Sequence, residues 1–462
     1  MSIVGAIIVP HPPVIIPEVG KGREKEIQNT IDAYRKAAQR VASWQPETLI
    51  LSSPHAMMYG DYNHISPGKG AEGDLADFGA SGVKIKVDYD VELRDELTKS
   101  LSEAGVPAGV LGDKKPRLDH GSLIPLYFLR EAGVNCPILR IGLSGLPAIK
   151  HYELGCRIAE AVEKVGRRAA YIASGDLSHK LKSDGPYGFS PEGPEYDRQI
   201  EEIMSTGDFS RLLTMNAGFC DKAAECGQRS FQIMAGALDG LSVTPELLSH
   251  EGPFGVGYGV AVFTVNGKDG SRRFGEAFNK AERERMEARK AGEDEYVRLA
   301  RLSLETFVNT GKRLDKLPEN LPKTMLDTRA GAFVSLHKDG QLRGCIGTIA
   351  PTTGSVAEEI VQNAVSACAN DPRFYPVLKS ELEDLEYSVD VLGQAEDISS
   401  KAELDVHKYG VIVTCGSKRG LLLPDLEGVD TVDEQVAIAM RKGGIREGEK
   451  YSLQRFRVVR HR

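Results

Sequence analysis

Residues 169–179 read Ala169-Ala170-Tyr171-Ile172-Ala173-Ser174-Gly175-Asp176-Leu177-Ser178-His179. An apolar run of strand length, closed by a small-residue turn and a histidine, is how a buried parallel strand finishes at the rim of a sheet. Two earlier runs end alike, in Ile8-Val9-Pro10-His11 and in Leu51-Ser52-Ser53-Pro54-His55. Working outward, β-rich runs at 4–9, 48–52, 138–142, 169–173 and 256–265 alternate with helical patterns at 25–43, 91–104, 152–165 and 221–238. This alternation predicts an α/β domain with a mainly parallel sheet flanked by helices.

Past Val265 the composition turns to Gly, Ser and Arg and then to a charged stretch reaching Glu295. The expected organisation is a first domain at 1–266, a linker at 267–285 and a second, smaller α+β domain at 286–462. In the latter, a helix is expected over 295–309. Strands at 332–336 and 342–346 flank the turn signal Asp339-Gly340, a hairpin by turn chemistry. The stretch 66–81, rich in Gly, Ala and Asp, reads as a mobile loop or a lid over a site.

Composition excludes several classes. The 462 residues are 41% hydrophobic and 27% charged with a net charge of −8. Acids and bases are mixed, so there is no basic field to hold a phosphate backbone, and nucleic acid is not expected as a partner. No run of about twenty apolar residues is present, so no membrane span is expected. Seven cysteines at 136, 156, 220, 226, 345, 368 and 415 form no Cys-x-x-Cys pair. With an apolar amino terminus that reads as a first strand and not as a signal peptide, this fits a reducing cytoplasm. Self-association into a homo-oligomer is left open by the sequence.

The histidines carry the chemistry. His11, His55 and His179 each follow the carboxyl end of a β-run, the edge of an open parallel sheet at which distant residues converge on a ligand. His120 lies in the loop Leu118-Asp119-His120-Gly121. A neutral imidazole is the commonest metal-ligating side chain, its second nitrogen held by a carbonyl or carboxylate. Asp119 and Asp176 are candidates for that holding role, or simply turn residues. A two-histidine site for oxygen chemistry needs one carboxylate, supplied by Glu225 in Glu225-Cys226-Gly227 or by Glu251 in His250-Glu251-Gly252, with Glu225 the preferred choice. Gly255-Val256-Gly257-Tyr258-Gly259 precedes a strand, whereas a dinucleotide fingerprint must follow one.

The pieces Pro10-His11-Pro12, Ser53-Pro54-His55, Asp119-His120-Gly121, Gly175-Asp176-Leu177-Ser178-His179 and Glu225-Cys226-Gly227 resemble the catalytic subunits of class III extradiol ring-cleavage dioxygenases, a family that includes the Memo-like proteins. The resemblance covers residues 1–266. It implies Fe(II) held by His11, His55 and Glu225, with His179 as base and His120 as proton donor or oxygen-positioning group. The implied substrates are a small aromatic diol and dioxygen. Memo-like members carry a cysteine in the metal pocket, so Cys226 competes with Glu225 as third ligand, and a thiolate favours softer metals such as Cu(I) or Zn(II). The alternative is then a metal-binding or interaction protein without dioxygenase turnover.

From 286 onward, Leu342-Arg343-Gly344-Cys345-Ile346-Gly347-Thr348, Asp371-Pro372-Arg373-Phe374 and Arg419-Gly420-Leu421-Leu422-Leu423-Pro424 resemble the AMMECR family. That family is grouped with Memo-like and radical SAM proteins as AmmeMemoRadiSam, which implies a radical SAM protein as partner. Where relatives show a cysteine near the end, this chain has Ala439-Met440-Arg441-Lys442-Gly443-Gly444. Cys345 is the residue of this domain that chemistry singles out, with Arg343 and the adjacent turn placed to stabilise a thiolate. Otherwise it is a small buried hairpin residue. Arg343 and Arg373 are candidates for holding an anion.

Overall fold

All five β-rich runs of the first domain fall in one six-stranded sheet. A computed structural model of the chain describes residues 2–462 except 116, 339 and 427. It divides into two units, Met1–Ala281 and Glu282–Arg462, which are described separately. The first is built on β1 (Ile3–Val9), α1 (Gln28–Ser43), β2 (Thr48–Ser53), β3 (Gly70–Leu75), β4 (Ala80–Asp88), α2 (Val91–Glu103), α3 (His120–Glu131), β5 (Ile138–Gly142), α4 (Ala148–Val165), β6 (Ala169–Ser174), α5 (Glu192–Thr206), α6 (Gln228–Ala237), β7 (Leu241–Glu251) and β8 (Tyr258–Lys268).

The sheet order is β5-β2-β6-β1-β8-β7. β5, β2, β6 and β1 are mutually parallel, while β8 runs antiparallel to both β1 and β7. β2 and β6 are buried along their whole length, as expected of strands covered on both faces. Alternation sorts their side chains. Ile8, Ile50 and Tyr171 join the core under α2, α4, α5 and α6, and Ile7, Val9, Leu51 and Ile172 join the core under α1 and α3.

Three features differ from the expectation. β7 is a sixth strand that Pro245 and its polar neighbours disguise; it lies at the sheet edge, where proline is tolerated. The stretch 66–81 forms β3 and the turn into β4, with Ala71, Leu75 and Ala80 buried in the core. The helix expected over 221–238 is broken: a short helix ends at Ala223, Ala224 adopts a left-handed φ of +52°, and α6 starts at Gln228. The stretch 267–285 carries the end of β8, a turn at Gly270–Arg272 and the start of helix α7 (Phe274–Gly292), whose Glu, Arg, Lys and Ala content favours a helix.

The second unit contains α8 (Glu295–Thr310), β9 (Ala332–Lys338), β10 (Gln341–Gly347), α9 (Val356–Ala369), β11 (Glu386–Leu392), β12 (Glu396–Ile398), β13 (Gly410–Cys415), β14 (Lys418–Leu422), α10 (Val432–Lys442), β15 (Ser452–Phe456) and β16 (Val458–His461). Two antiparallel sheets, β10-β9-β11-β16 and β12-β15-β13-β14, make it an α+β unit. β9 and β10 pair as the sequence suggests. Asp339 of the turn signal lies outside the described residues, and Gly340 takes the positive φ of +74° that a tight reversal asks of glycine. Among the described residues no helix is long and apolar enough to cross a membrane.

Candidate metal centre

Register brings the strand ends to one level. Val9 pairs with Ser174, and Ser52 with Ala173, so the residues just beyond β1, β2 and β6 leave the sheet side by side. His11 Nε2 and His55 Nε2 lie 3.0 Å apart, and Cys226 Sγ is 3.7 Å from His11 Nε2. The donor atoms of His11, His55 and Cys226 all fall within 4.8 Å of one another, which makes a His/His/Cys set able to hold one metal ion.

The tautomer of His11 follows from its neighbours. The Ser174 hydroxyl donates to the Gly121 carbonyl at 2.6 Å, so Ser174 Oγ must accept from His11 Nδ1–H at 2.9 Å. That fixes the proton on Nδ1 and leaves Nε2 with a free lone pair, the form that ligates metal. Burial, reinforced by His55, lowers the His11 pKa to about 3, and burial with His120 beside it lowers that of His55. Both imidazoles are therefore neutral donors at physiological pH. Ser174→Ala, which frees the His11 ring to rotate and unpairs its Nδ1–H, is expected to weaken metal binding by roughly 10- to 100-fold. Competition of the variant against a chelator measures this, and an unchanged affinity would mean that Ser174 does not orient the ring.

Cys226 reaches the site because two backbones nearly touch. A Cβ on Gly175 would lie 2.2 Å from Gly227 Cα, so only glycine at 175 lets the loop ahead of α6 close on the end of β6. The Asp176 N–H then donates to Cys226 Sγ at 3.3 Å. Left-handed Ala224, a conformation that costs about 1 kcal/mol or more outside glycine, turns the chain at the start of this loop. Burial, with Asp176 and Glu225 nearby, raises the Cys226 thiol pKa well above its ordinary value. A cation against the sulfur opposes that shift and favours the thiolate.

Neither acidic candidate is placed with the two histidines. Glu225 accepts the Gln228 N–H at 2.6 Å. That amide belongs to the first turn of α6, whose N–H groups have no partner inside the helix, and this draws the carboxylate away from the histidines. Burial raises the Glu225 pKa to about 7. Glu251 accepts from Thr30 N at 2.8 Å and Thr30 Oγ1 at 2.5 Å, securing the first turn of α1.

The flanking histidines are close by. The His120 ring centre lies 4.0 Å from that of His55, 5.6 Å from that of His11 and 5.2 Å from that of Phe78. Burial lowers the His120 pKa to about 4, with His11 adding to the effect. His179 lies within electrostatic reach of His11 and Asp176. Its Nδ1 is buried with no partner among the described residues, and its ring meets that of Tyr187 at 5.1 Å. Asp176 accepts the His11 N–H at 2.7 Å, and burial raises its pKa to about 6. Asp119 caps α3 through the Ser122 N–H and pairs with Arg140 at 2.6 Å. Neither aspartate holds an imidazole nitrogen at hydrogen-bond distance; Ser174 does that for His11. Ser174 was not legible as a ligand-orienting group, although its place just ahead of Gly175-Asp176 at a strand end was the available signal. Phe78 and Arg140 were also missed, since they come from elements far from the histidine loops.

Residues 5–261 match the family described as the catalytic LigB subunit of aromatic ring-opening dioxygenase, and residues 297–461 match AMMECR1. The fold and the rim of histidines thus define a protein of the extradiol dioxygenase superfamily. More particularly, the chain belongs to the LigB catalytic-subunit family, in its Memo-like form fused to an AMMECR1 domain. A Clostridium acetobutylicum protein is 40% identical to it over 469 residues, covering 100% of both chains. A Thermotoga maritima protein is 49% identical over 173 residues, 37% of this chain and 99% of that one. A crystal structure of a Pyrococcus horikoshii protein is 30% identical and covers 36% of this chain and 88% of its own, with a TM-score of 0.34.

Proposed function

We propose that the N-terminal unit is a mononuclear metal protein whose ion is held by His11, His55 and Cys226, and that Cu(I) is the ion these donors suit best. The observation that carries this reading is the donor set itself: two imidazoles and a sulfur share one small volume while Glu225 is engaged by the Gln228 amide. Thiolate with imidazole selects copper or zinc, and two imidazoles with one thiolate is the donor set of copper electron-transfer centres, whereas oxygen-activating Fe(II) sites use a carboxylate as third ligand. When bound, such an ion supplies one-electron redox chemistry. The chain contributes a neutral His11 locked by Ser174, a protected thiol, and buried surroundings.

A second reading, Fe(II)-dependent ring opening of a catechol-like diol with dioxygen, is favoured by one specific observation. His120 and His179 flank the same rim, and among the described residues the Nδ1 of His179 has no partner. In this reading His179 takes the phenolic proton. His120, neutral at pH 7 because burial lowers its pKa to about 4, donates a ring N–H hydrogen bond to an oxygen of the substrate, and the proton taken up by His179 is the one returned late in the reaction.

The two are separated by titrating anaerobically prepared full-length protein with Cu(I) and with Fe(II) against competing chelators, then following oxygen uptake with a panel of catechols. One tightly held Cu(I) per chain, with no catechol-dependent oxygen uptake after Fe(II) loading, is the expected result. Stoichiometric Fe(II) with oxygen uptake and ring-fission absorbance would replace the first reading by the second.

A further inference from the structure

β7 and α5 meet through an imidazole clamped on both sides. His250 Nε2 lies 2.9 Å from Asp197 Oδ2, and His250 Nδ1 lies 3.2 Å from Glu201 Oε2. A carboxylate only accepts, so both ring nitrogens must carry hydrogen, and an imidazole that donates from both is the cation. The three side chains differ in their access to water: Asp197 is 3% exposed, His250 21% and Glu201 44%. Asp197 therefore depends on His250 for its counter-charge, whereas water can take the place of His250 at Glu201.

Asp197 also reaches the rim of the sheet. Its Oδ1 accepts the N–H of Ser178, the residue ahead of His179, at 2.8 Å. Ser178 passes the hold onward. Its hydroxyl donates to the Ala223 carbonyl at 2.8 Å, and the same carbonyl accepts the His179 N–H at 3.2 Å. Ala223 immediately precedes left-handed Ala224 and the loop of Cys226. One buried carboxylate thus secures the loop of His179 and, one hydrogen bond further, the loop of Cys226.

Few charged groups surround His250. On α5 they are Asp197 and Glu201, while Arg198 turns to Glu195 and Glu202. β8 sets Gly259 opposite His250. On the α1 side of β7, Arg40 pairs with Glu246, and Thr30 with Glu251. His179, in the loop after β6, acts on Asp197. The bond to Asp197, with Glu201 adding to it, raises the His250 pKa above its ordinary 6.5 against the effect of burial. Burial raises that of Asp197, with His250 and the Ser178 N–H opposing. A cation of raised pKa contributes its stability in full below 6.5, and that contribution is lost as the pH rises through the folded value.

We propose that Asp197, Glu201 and His250 form a proton-operated latch on the rim: with the His250 proton in place the loops of His179 and Cys226 are held, and loss of that proton to solvent lets them open. Only a proton moves. The consequence for metal binding rests on the Cys226 reading above, whereas the latch itself is tested on metal-free protein.

Full-length protein labelled with 13C at histidine Cε1 is titrated by NMR, with His250→Gln assigning the resonance. Amide exchange of the segment 174–182 is followed by mass spectrometry from about pH 6 to about pH 9, corrected for the pH dependence of exchange itself. His250 should titrate above 6.5, and for each pH unit of that displacement the opening of the segment should rise tenfold across the transition. Glu201→Gln, at an exposed position, should move the titration and the opening together to lower pH. In His250→Gln the opening should already be raised at about pH 6 and no longer follow pH. A His250 that titrates at or below 6.5, a segment that opens equally at both ends of the range, or an unchanged pH dependence of opening in His250→Gln would each overturn the proposal. Since neither readout involves a metal, failure of Cu(I) to bind would count against the metal reading and not against the latch.

Discussion

Cys226→Ala is expected to weaken binding of the metal by about a hundredfold or more, while Glu225→Gln leaves both stoichiometry and affinity within a few-fold of the parent protein. The asymmetry follows from where the two neighbouring side chains go. Cys226 Sγ is 3.7 Å from His11 Nε2 and belongs to the set of donors that meet, so its loss removes one of three ligands. Removing groups that merely orient ligands already costs 10- to 100-fold, and removal of a ligand should cost at least as much. The Glu225 carboxylate accepts a backbone N–H of α6, and the amide oxygen of glutamine can accept it equally. Anaerobic chelator competition on the two variants measures the difference. A large loss in Glu225→Gln with little change in Cys226→Ala would restore the carboxylate as third ligand.

Asp119→Ala is expected to destabilise the N-terminal unit by roughly 3–5 kcal/mol, since it strands the Arg140 cation. The guanidinium is 7% exposed and its partner carboxylate 11% exposed, at 2.6 Å. Asp119 also accepts from Ser53 Oγ at 2.6 Å and Ser122 Oγ at 2.7 Å, tying the end of β2 and the start of α3 to β5. Because Ser53 Oγ in turn accepts the His55 N–H at 3.2 Å, the same variant should loosen the metal site. Urea unfolding followed alongside metal affinity tests both consequences, and Asp119→Asn, which keeps the helix cap but not the charge, should fall in between. A loss below about 1 kcal/mol, the range of exposed ion pairs, would mean that Arg140 finds another partner.

The same carboxylate sets an acid limit. Burial pushes the Asp119 pKa up, but the Arg140 guanidinium and the Ser53 and Ser122 donors outweigh it and bring it to about 2. A carboxyl depressed in the folded state contributes stability above its unfolded pKa near 4 and loses it as the pH falls through the folded value. The Asp119 contribution should therefore be intact at pH 5 and disappear between about pH 4 and pH 2. The difference in stability between parent and Asp119→Ala should shrink over that interval.

The parts of this molecule that the sequence shows are those with a strong local pattern. Buried parallel strands are continuous apolar runs, and the Pro-His and Gly-Asp-Leu-Ser-His endings of β1, β2 and β6 announce the rim. What remained hidden depends on contacts between distant segments. Glu225 and Cys226 are adjacent, and which one faces His11 is decided by left-handed Ala224 and by the approach of Gly227 to Gly175, neither of which has a local signature. β7 was obscured by Pro245 at an edge where a missing N–H costs little. The 66–81 stretch looked like a loop because its small residues are polar-flanked, yet Ala71 and Leu75 find buried places only once α3 is packed beside them. In the second unit the pairing of β9 with β10 was evident, whereas the hold of Asp371 and Arg373 on the Cys345 backbone, made from the segment after α9, was not.

X-ray absorption at the metal edge of the Cu(I)-loaded full-length protein tests the central claim most directly. The account predicts one sulfur at about 2.3 Å with two imidazole nitrogens at about 2.0 Å, and loss of the sulfur shell in Cys226→Ala. A shell of nitrogen and oxygen alone in the parent protein, unchanged in that variant, would contradict it.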